Sequence, residues 1–133
     1  MPRRPSMLVV DDEESVAWTF TQLFERDGYR VTTAHSAADA LRQLNNGHAF
    51  DIVVTDLRME RPEAGLDVAR AAKKLKPSPI IVICTGYANL DNARRALDIH
   101  VDYLAVKPVN LDDLRAALSR LLARRQVLGE GKK

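Results

Sequence analysis

This 133-residue sequence has little that could serve covalent cross-linking, membrane insertion or a polycation's role. It holds one cysteine, Cys84, so no intramolecular disulfide can form. Cys84 closes the apolar run Ile80 to Cys84 with no Lys, Arg or His beside it, which fits a buried structural thiol rather than a nucleophile. No apolar run approaches the ~20 residues that cross a bilayer, so no membrane association is expected. No signal peptide opens the sequence, and a reducing cytoplasm is the expected compartment. The net charge is +2, with small basic clusters only at the two ends, Arg3-Arg4 and Arg124-Arg125 with Lys132-Lys133. That is too little to imply direct nucleic-acid binding, and no reading helix follows the C-terminal cluster. The three histidines, His35, His48 and His100, share no metal-ligand spacing and read as surface residues. Internal repeats and low-complexity segments are absent.

Hydrophobic residues make up 46% and charged residues 29%, the balance of one folded domain with a real core. Short apolar runs alternate with longer periodic ones. Met7 to Val10 reads as a strand ending at Asp11-Asp12, and Glu14 to Asp27 as a helix with Val16, Ala17, Phe20, Leu23 and Phe24 at helical spacing, stopped by Gly28. In that helix Trp18 is expected to be partly buried. Arg30 to Ala34 is a β-branched stretch, and Ser36 is an N-cap for a helix through Leu44. Ile52 to Thr55 is a strand ending at Asp56. Gly65 to Lys76 reads as a helix broken by Pro77 and Pro79. Ile80 to Cys84 is a fourth strand ending at Thr85-Gly86. Leu90 to Asp98 is a weaker helix, and Tyr103 to Val106 a fifth strand ending at Lys107-Pro108. Asn110 caps a last helix through about Arg124. Strands that are apolar on both faces and alternate with helices predict an α/β fold: a doubly wound, five-stranded parallel sheet with five helices. The expected division is a tail over 1–5, a domain over 6–124 and a tail over 125–133.

In such sheets the functional site lies at the carboxyl ends of the strands. Here those ends deliver Asp11 and Asp12, then Asp56, Thr85 and Lys107. Carboxylates gathered in one pocket repel unless a cation holds them, and oxygen donors suit a hard divalent ion such as Mg²⁺. A lysine and a hydroxyl beside that ion suit an anionic guest with several oxygens, and a phosphoryl group fits. One carboxylate is then free to act as nucleophile.

Val9-Val10-Asp11-Asp12-Glu13, Val54 to Met59, Cys84-Thr85-Gly86 and Val106-Lys107-Pro108 together resemble the signatures of the response-regulator receiver domains of two-component signalling. The resemblance runs from about Met7 to Leu122. It implies a CheY-like, flavodoxin-like strand order 2-1-3-4-5 and a phosphorylation-dependent switch, not an enzyme in the ordinary sense, that assists its own phosphotransfer and slow autodephosphorylation. By the same resemblance Asp56 is the phosphoacceptor, taking its phosphoryl group from a phosphohistidine donor. Asp11, Asp12, Asp56 and the backbone carbonyl of Arg58 hold Mg²⁺ (or Mn²⁺). Thr85, Lys107 and Pro108 bind the phosphoryl group and switch, with Pro108 often cis in such domains. Arg58 and Tyr87 flank the path of attacking water and tune the lifetime of the phosphorylated state. The implied partner is a sensor histidine kinase or a phosphotransfer protein. The phosphorylated form is expected to change around Thr85, the fourth helix and the fifth strand, a surface that with the fifth helix would make partner or homodimer contact.

Two positions depart from the family pattern. The family usually has Pro directly after the Met of the third loop, whereas here Glu60-Arg61-Pro62-Glu63-Ala64-Gly65 displaces the proline and lengthens the loop by one residue. The position of the family's aromatic, three before the lysine, is Leu104, and strand alternation puts Tyr103 on the opposite face. Two competing functions are a phosphatase-like enzyme, which would place its nucleophile at Asp11 with a second acid at Glu13, and a degenerate receiver that binds without phosphate. The first lacks a substrate-capping insertion, and intact Asp12, Asp56, Thr85 and Lys107 oppose the second. The short tail after Leu122 leaves either a stand-alone receiver or a part of a longer regulator.

Overall fold

The computed structural model describes residues 4–86 and 89–130, with side chains described through residue 126. Five βα units follow one another: β1 (Ser6–Val10), α1 (Glu14–Arg26), β2 (Arg30–Ala34), α2 (Ala37–Asn45), β3 (Ile52–Asp56), α3 (Ala64–Lys73), β4 (Ile80–Thr85), α4 (Leu90–Ile99), β5 (Tyr103–Val106) and α5 (Leu111–Glu130). Every strand pairing is parallel, and the order is β2-β1-β3-β4-β5. This is the doubly wound sheet that the alternation of elements predicts.

The period-two alternation of the strands divides the core into two layers. Leu8, Val10, Val53, Ile81 and Ile83 face one side, where Ala40 and Leu44 of α2, Leu66 and Ala69 of α3, and Ala96 and Ile99 of α4 cover them. Met7, Val9, Ile52, Val54, Val82 and Cys84 face the other, against Phe20 and Phe24 of α1 and Leu114 and Leu118 of α5. Tyr103 joins the second layer and Leu104 the first, so the two side chains do lie on opposite faces. The outer helices are stapled as well as packed: Arg115 of α5 donates two bonds of 2.7 Å to the Asp27 carboxylate that follows α1. The Arg115 hydrogen bond holds that carboxyl below its usual range. No described helix is long and apolar enough to cross a membrane.

Several element ends differ from the sequence reading. β1 begins at Ser6 and β4 includes Thr85, which pairs with Val106. The third helix runs over Ala64–Lys73, so it stops three residues before Lys76. Lys76 precedes a proline, and that neighbour disfavours helical backbone. α4 gains Ile99 and closes on His100, whose φ of 66° is the left-handed cap. α5 continues to Glu130, through a stretch assigned above to a tail. Its residues up to Leu128 are all helix-compatible, and Arg125 donates a 2.9 Å bond to the Asp51 carbonyl at the foot of β3. Trp18 is 65% exposed rather than partly buried. With 3.6 residues per turn, the inward face of α1 is set by Ala17, Phe20 and Phe24, and Trp18 turns off it.

Phe24 is fully buried and makes edge-to-face contacts with both Phe20 and Tyr29, at centroid distances of 5.8 Å each. Phe24→Ala should therefore lower the unfolding free energy by about 3–5 kcal/mol, measured by urea titration. A loss well under 1 kcal/mol would contradict the assignment of this ring to the core.

Candidate functional site

The strand-end groups singled out in the sequence converge. Asp11 follows β1, its N–H donating to the Ala34 carbonyl at 3.0 Å, and its Oδ1 accepts the Glu13 N–H at 2.9 Å. Asp56 ends β3, the central strand, and the next N–H, that of Leu57, donates to the Cys84 carbonyl at 2.8 Å. Asp11 is only 5% exposed and Asp56 7%, while Asp12 is exposed. Carboxylate oxygens of Asp11, Asp12 and Asp56 lie within 4.8 Å of one another. Lys107 follows β5, where its N–H donates to the Thr85 carbonyl at 2.7 Å, and its Nζ lies 3.1 Å from Asp56 Oδ1. The peptide bond from Lys107 to Pro108 is cis. Thr85 is 1% exposed at the end of β4.

The charges in this pocket are poorly solvated. Burial pushes the Asp56 carboxyl up, and the hydrogen bond and charge of Lys107 offset this only in part. Burial also raises Asp11. The Glu13 N–H pulls it down, and the Asp56 charge raises it further. Burial acts to lower the Lys107 ammonium, but its hydrogen bond to Asp56 and the charges of Asp56 and Asp11 together leave it raised. Cys84, next to this cluster, is a buried thiol pushed up to about 12, mainly by burial, which suits the structural role expected for it. The three carboxylates are an oxygen-only donor set that fits a hard divalent cation, one lysine leaves them in excess of positive charge, and the exposed Asp12 leaves room for metal-bound water.

Arg58 is exposed in the loop after β3 and lines a cavity of about 180 Å³ with Leu57, Pro62, Glu63, Asn89 and Asn92. Tyr87 lies outside the described residues. Three residues matter here that the sequence reading passed over. His35, taken as an isolated surface residue, is exposed but has Nδ1 3.2 Å from the Asp11 carbonyl. Gly65 packs on the Asp56–Leu57 backbone: a Cβ there would stand 2.2 Å from the Asp56 carbonyl oxygen and 2.8 Å from Leu57 Cα. Glu60 reaches from the β3–α3 loop to the start of α2, its carboxylate accepting the N–H groups of Ala37 at 2.9 Å and Ala38 at 3.3 Å. Only Gly65 left a signal in the sequence, as a glycine at the start of a helix.

Two outcomes follow from this geometry. Gly65→Ala should cost about 1–3 kcal/mol in a denaturant melt, because the atoms it meets are backbone and cannot rotate away. For Asp11, a folded pKa above the unfolded one means that stability falls as pH rises from about 4 through the folded value. Asp11→Asn removes the charge and keeps an oxygen for the Glu13 N–H. It should raise the melting temperature at pH 7 in chelator, with the gain fading as pH falls toward the ordinary carboxylate range. A lower melting temperature at pH 7 would contradict the pocket's electrostatics.

Comparison with known proteins agrees with this arrangement. Residues 7–119 match the family model for the response regulator receiver domain. The alginate biosynthesis transcriptional regulatory protein AlgB of Pseudomonas aeruginosa is 38% identical over 91% of this chain and 26% of its own length. The transcriptional regulatory protein ZraR of Escherichia coli is 36% identical over 88% of this chain and 26% of its own. The chain thus spans about a quarter of the curated relatives it matches. Among solved structures, a receiver domain protein from Clostridium thermocellum has a TM-score of 0.82 at 34% identity, covering 93% of this chain and 98% of that one. A CheY-like receiver from Methanospirillum hungatei has a TM-score of 0.86 at 28% identity, with coverage of 93% and 98%. With a match that runs from β1 into α5 and takes in every strand-end acid, the chain belongs to the response regulator receiver domain family.

Proposed function

We propose that this chain is a phosphorylation-controlled switch whose acceptor is Asp56. The observation that carries the reading is the meeting of Asp11, Asp12 and Asp56 within 4.8 Å, with the Lys107 ammonium already on Asp56. Asp11, Asp12, Asp56 and the Arg58 carbonyl would hold Mg²⁺ (or Mn²⁺), which when bound neutralises the charge between the acids and the incoming phosphoryl group. An Asp56 carboxylate oxygen attacks phosphorus in line, the bond from phosphorus to the donor imidazole nitrogen breaks, and the imidazole leaves and takes up a proton. Lys107 exchanges its contact with the Asp56 carboxylate for a phosphoryl oxygen, and Thr85 supplies a hydroxyl to another. Pro108 shapes the chain beside Lys107.

The donor is a sensor histidine kinase or a phosphotransfer protein, and the site is cytoplasmic. Drawing Thr85 toward the phosphoryl group moves the β4–α4 connection and α4. That helix exposes Leu90 and Leu97, and Val106 of β5 is exposed nearby in the fold. With α5, this face is the partner or homodimer surface. This chain makes no direct contact with nucleic acid. Such contact would come from the remaining length of a regulator built like AlgB and ZraR. Arg58 and Tyr87 set the lifetime of the phosphorylated state by holding phosphoryl oxygens and obstructing the attacking water, so autodephosphorylation is slow.

The test is incubation with a small-molecule phosphodonor and Mg²⁺, read by intact mass. Wild type should gain one phosphoryl group, and Asp56→Asn or addition of chelator should abolish the gain. Phosphorylation of Asp56→Asn at the wild-type rate would refute the assignment.

A further inference from the structure

The β3–α3 loop carries Arg58, and it is longer and more exposed than the strands around it. Its own hydrogen bonds are local: the Met59 N–H donates to the Arg61 carbonyl at 3.1 Å, Ala64 N–H to the same carbonyl at 3.3 Å, and Gly65 N–H to the Leu57 carbonyl at 2.9 Å. Arg61 pairs with Asp67 inside the same βα segment. Among the described residues, only the bonds of Glu60 carry residues 58–62 out of that segment. Both of its carboxylate oxygens are engaged, by the N–H groups of Ala37 and Ala38. These are donors that a helix start leaves without internal partners, and a carboxylate is favoured there. Ser36 takes the next N–H, that of Asp39. The segment that receives Glu60 is also bound on its other side to the first acidic loop. The Ala34 carbonyl accepts the Asp11 N–H at 3.0 Å, and His35 Nδ1 lies 3.2 Å from the Asp11 carbonyl. One short stretch, residues 34–38, therefore links the loop of Asp11 and Asp12 to the loop of Arg58.

We infer that Glu60 is a positioning residue for the metal site: by clamping the β3–α3 loop to the start of α2, it sets the spacing between the Arg58 loop and the Asp11–Asp12 loop. This rests on the metal site proposed above. A cation that draws ligands from both loops gains affinity when their spacing is fixed beforehand, because less chain entropy is lost on binding. Without Glu60 the α2 start still has its Ser36 cap and the strands keep their register, so the fold survives while the two loops lose their common reference.

The experiment is a Mg²⁺ titration followed by amide NMR shifts of residues 11–12 and 56–58, well below the melting temperature. Glu60→Ala should weaken Mg²⁺ binding roughly tenfold, the lower end of what outer partners of metal ligands contribute. Glu60→Gln, which keeps one acceptor oxygen, should weaken it less. Two controls separate positioning from its imitations. Ala40→Gly loosens α2 without touching Glu60, and Asp39→Asn removes a charge from the first turn of α2, where it pairs with Arg42, without touching the β3–α3 loop. Both should bind Mg²⁺ like wild type, although Ala40→Gly melts earlier. Wild-type affinity in Glu60→Ala, or an equal loss in either control, would overturn the positioning role alone. A wild type that binds no Mg²⁺ would overturn the metal site and this role with it.

Discussion

The Lys107 ammonium rests 3.1 Å from an Asp56 oxygen in a pocket where Asp56 is buried and Lys107 half-buried, and the proposed chemistry depends on that contact. A carboxylate at the end of an interior strand must find a positive partner or stay protonated. Here the partner is one lysine for two buried acids, Asp11 and Asp56. The pocket is therefore short of positive charge, a deficit that suits it to a divalent cation. The same lysine is the group that an incoming phosphoryl oxygen would meet. Under the proposed function, the contact that quiets the resting pocket is the one that phosphorylation would replace.

The sheet makes the arrangement rigid. β1, β3 and β4 are covered on both faces by two separate apolar layers, so the points from which Asp11, Asp56 and Thr85 emerge are fixed by packing on either side. Lys107 is tied to the β4 end by its own N–H on the Thr85 carbonyl. Gly65 allows α3 to begin directly against the Asp56–Leu57 backbone. What remains adjustable lies outside this frame: the β3–α3 loop, held by the Glu60 clamp and by an ion pair from Glu63 to Arg95, and α4, with its exposed leucines. A rigid site beside adjustable neighbours is the division a switch requires.

The strands and their terminal residues were legible in the sequence because interior parallel strands are continuous apolar runs, and a charged residue ending such a run stands out. The placement of Tyr103 and Leu104 on opposite faces of β5 followed from alternation alone. Trp18 was misread because a tryptophan inside an amphipathic helix suggests burial, whereas helix phase puts it off the inward face. The run of α5 to Glu130 was missed because Arg124-Arg125 looks like a solvated end, yet Arg125 docks on Asp51 from the far end of the chain. Glu60 left no local trace. Its partners are backbone N–H groups more than twenty residues earlier, and no side-chain pattern encodes them.

The central claim is that Asp56 is a poorly solvated carboxylate whose charge is balanced mainly by Lys107. Carboxyl-carbon NMR titration of Asp56 in metal-free protein measures this directly. The account predicts a midpoint above the ordinary carboxylate range, a further rise in Lys107→Met, and a fall when Mg²⁺ is added. A midpoint at or below the ordinary range that ignores both Lys107→Met and Mg²⁺ would contradict it.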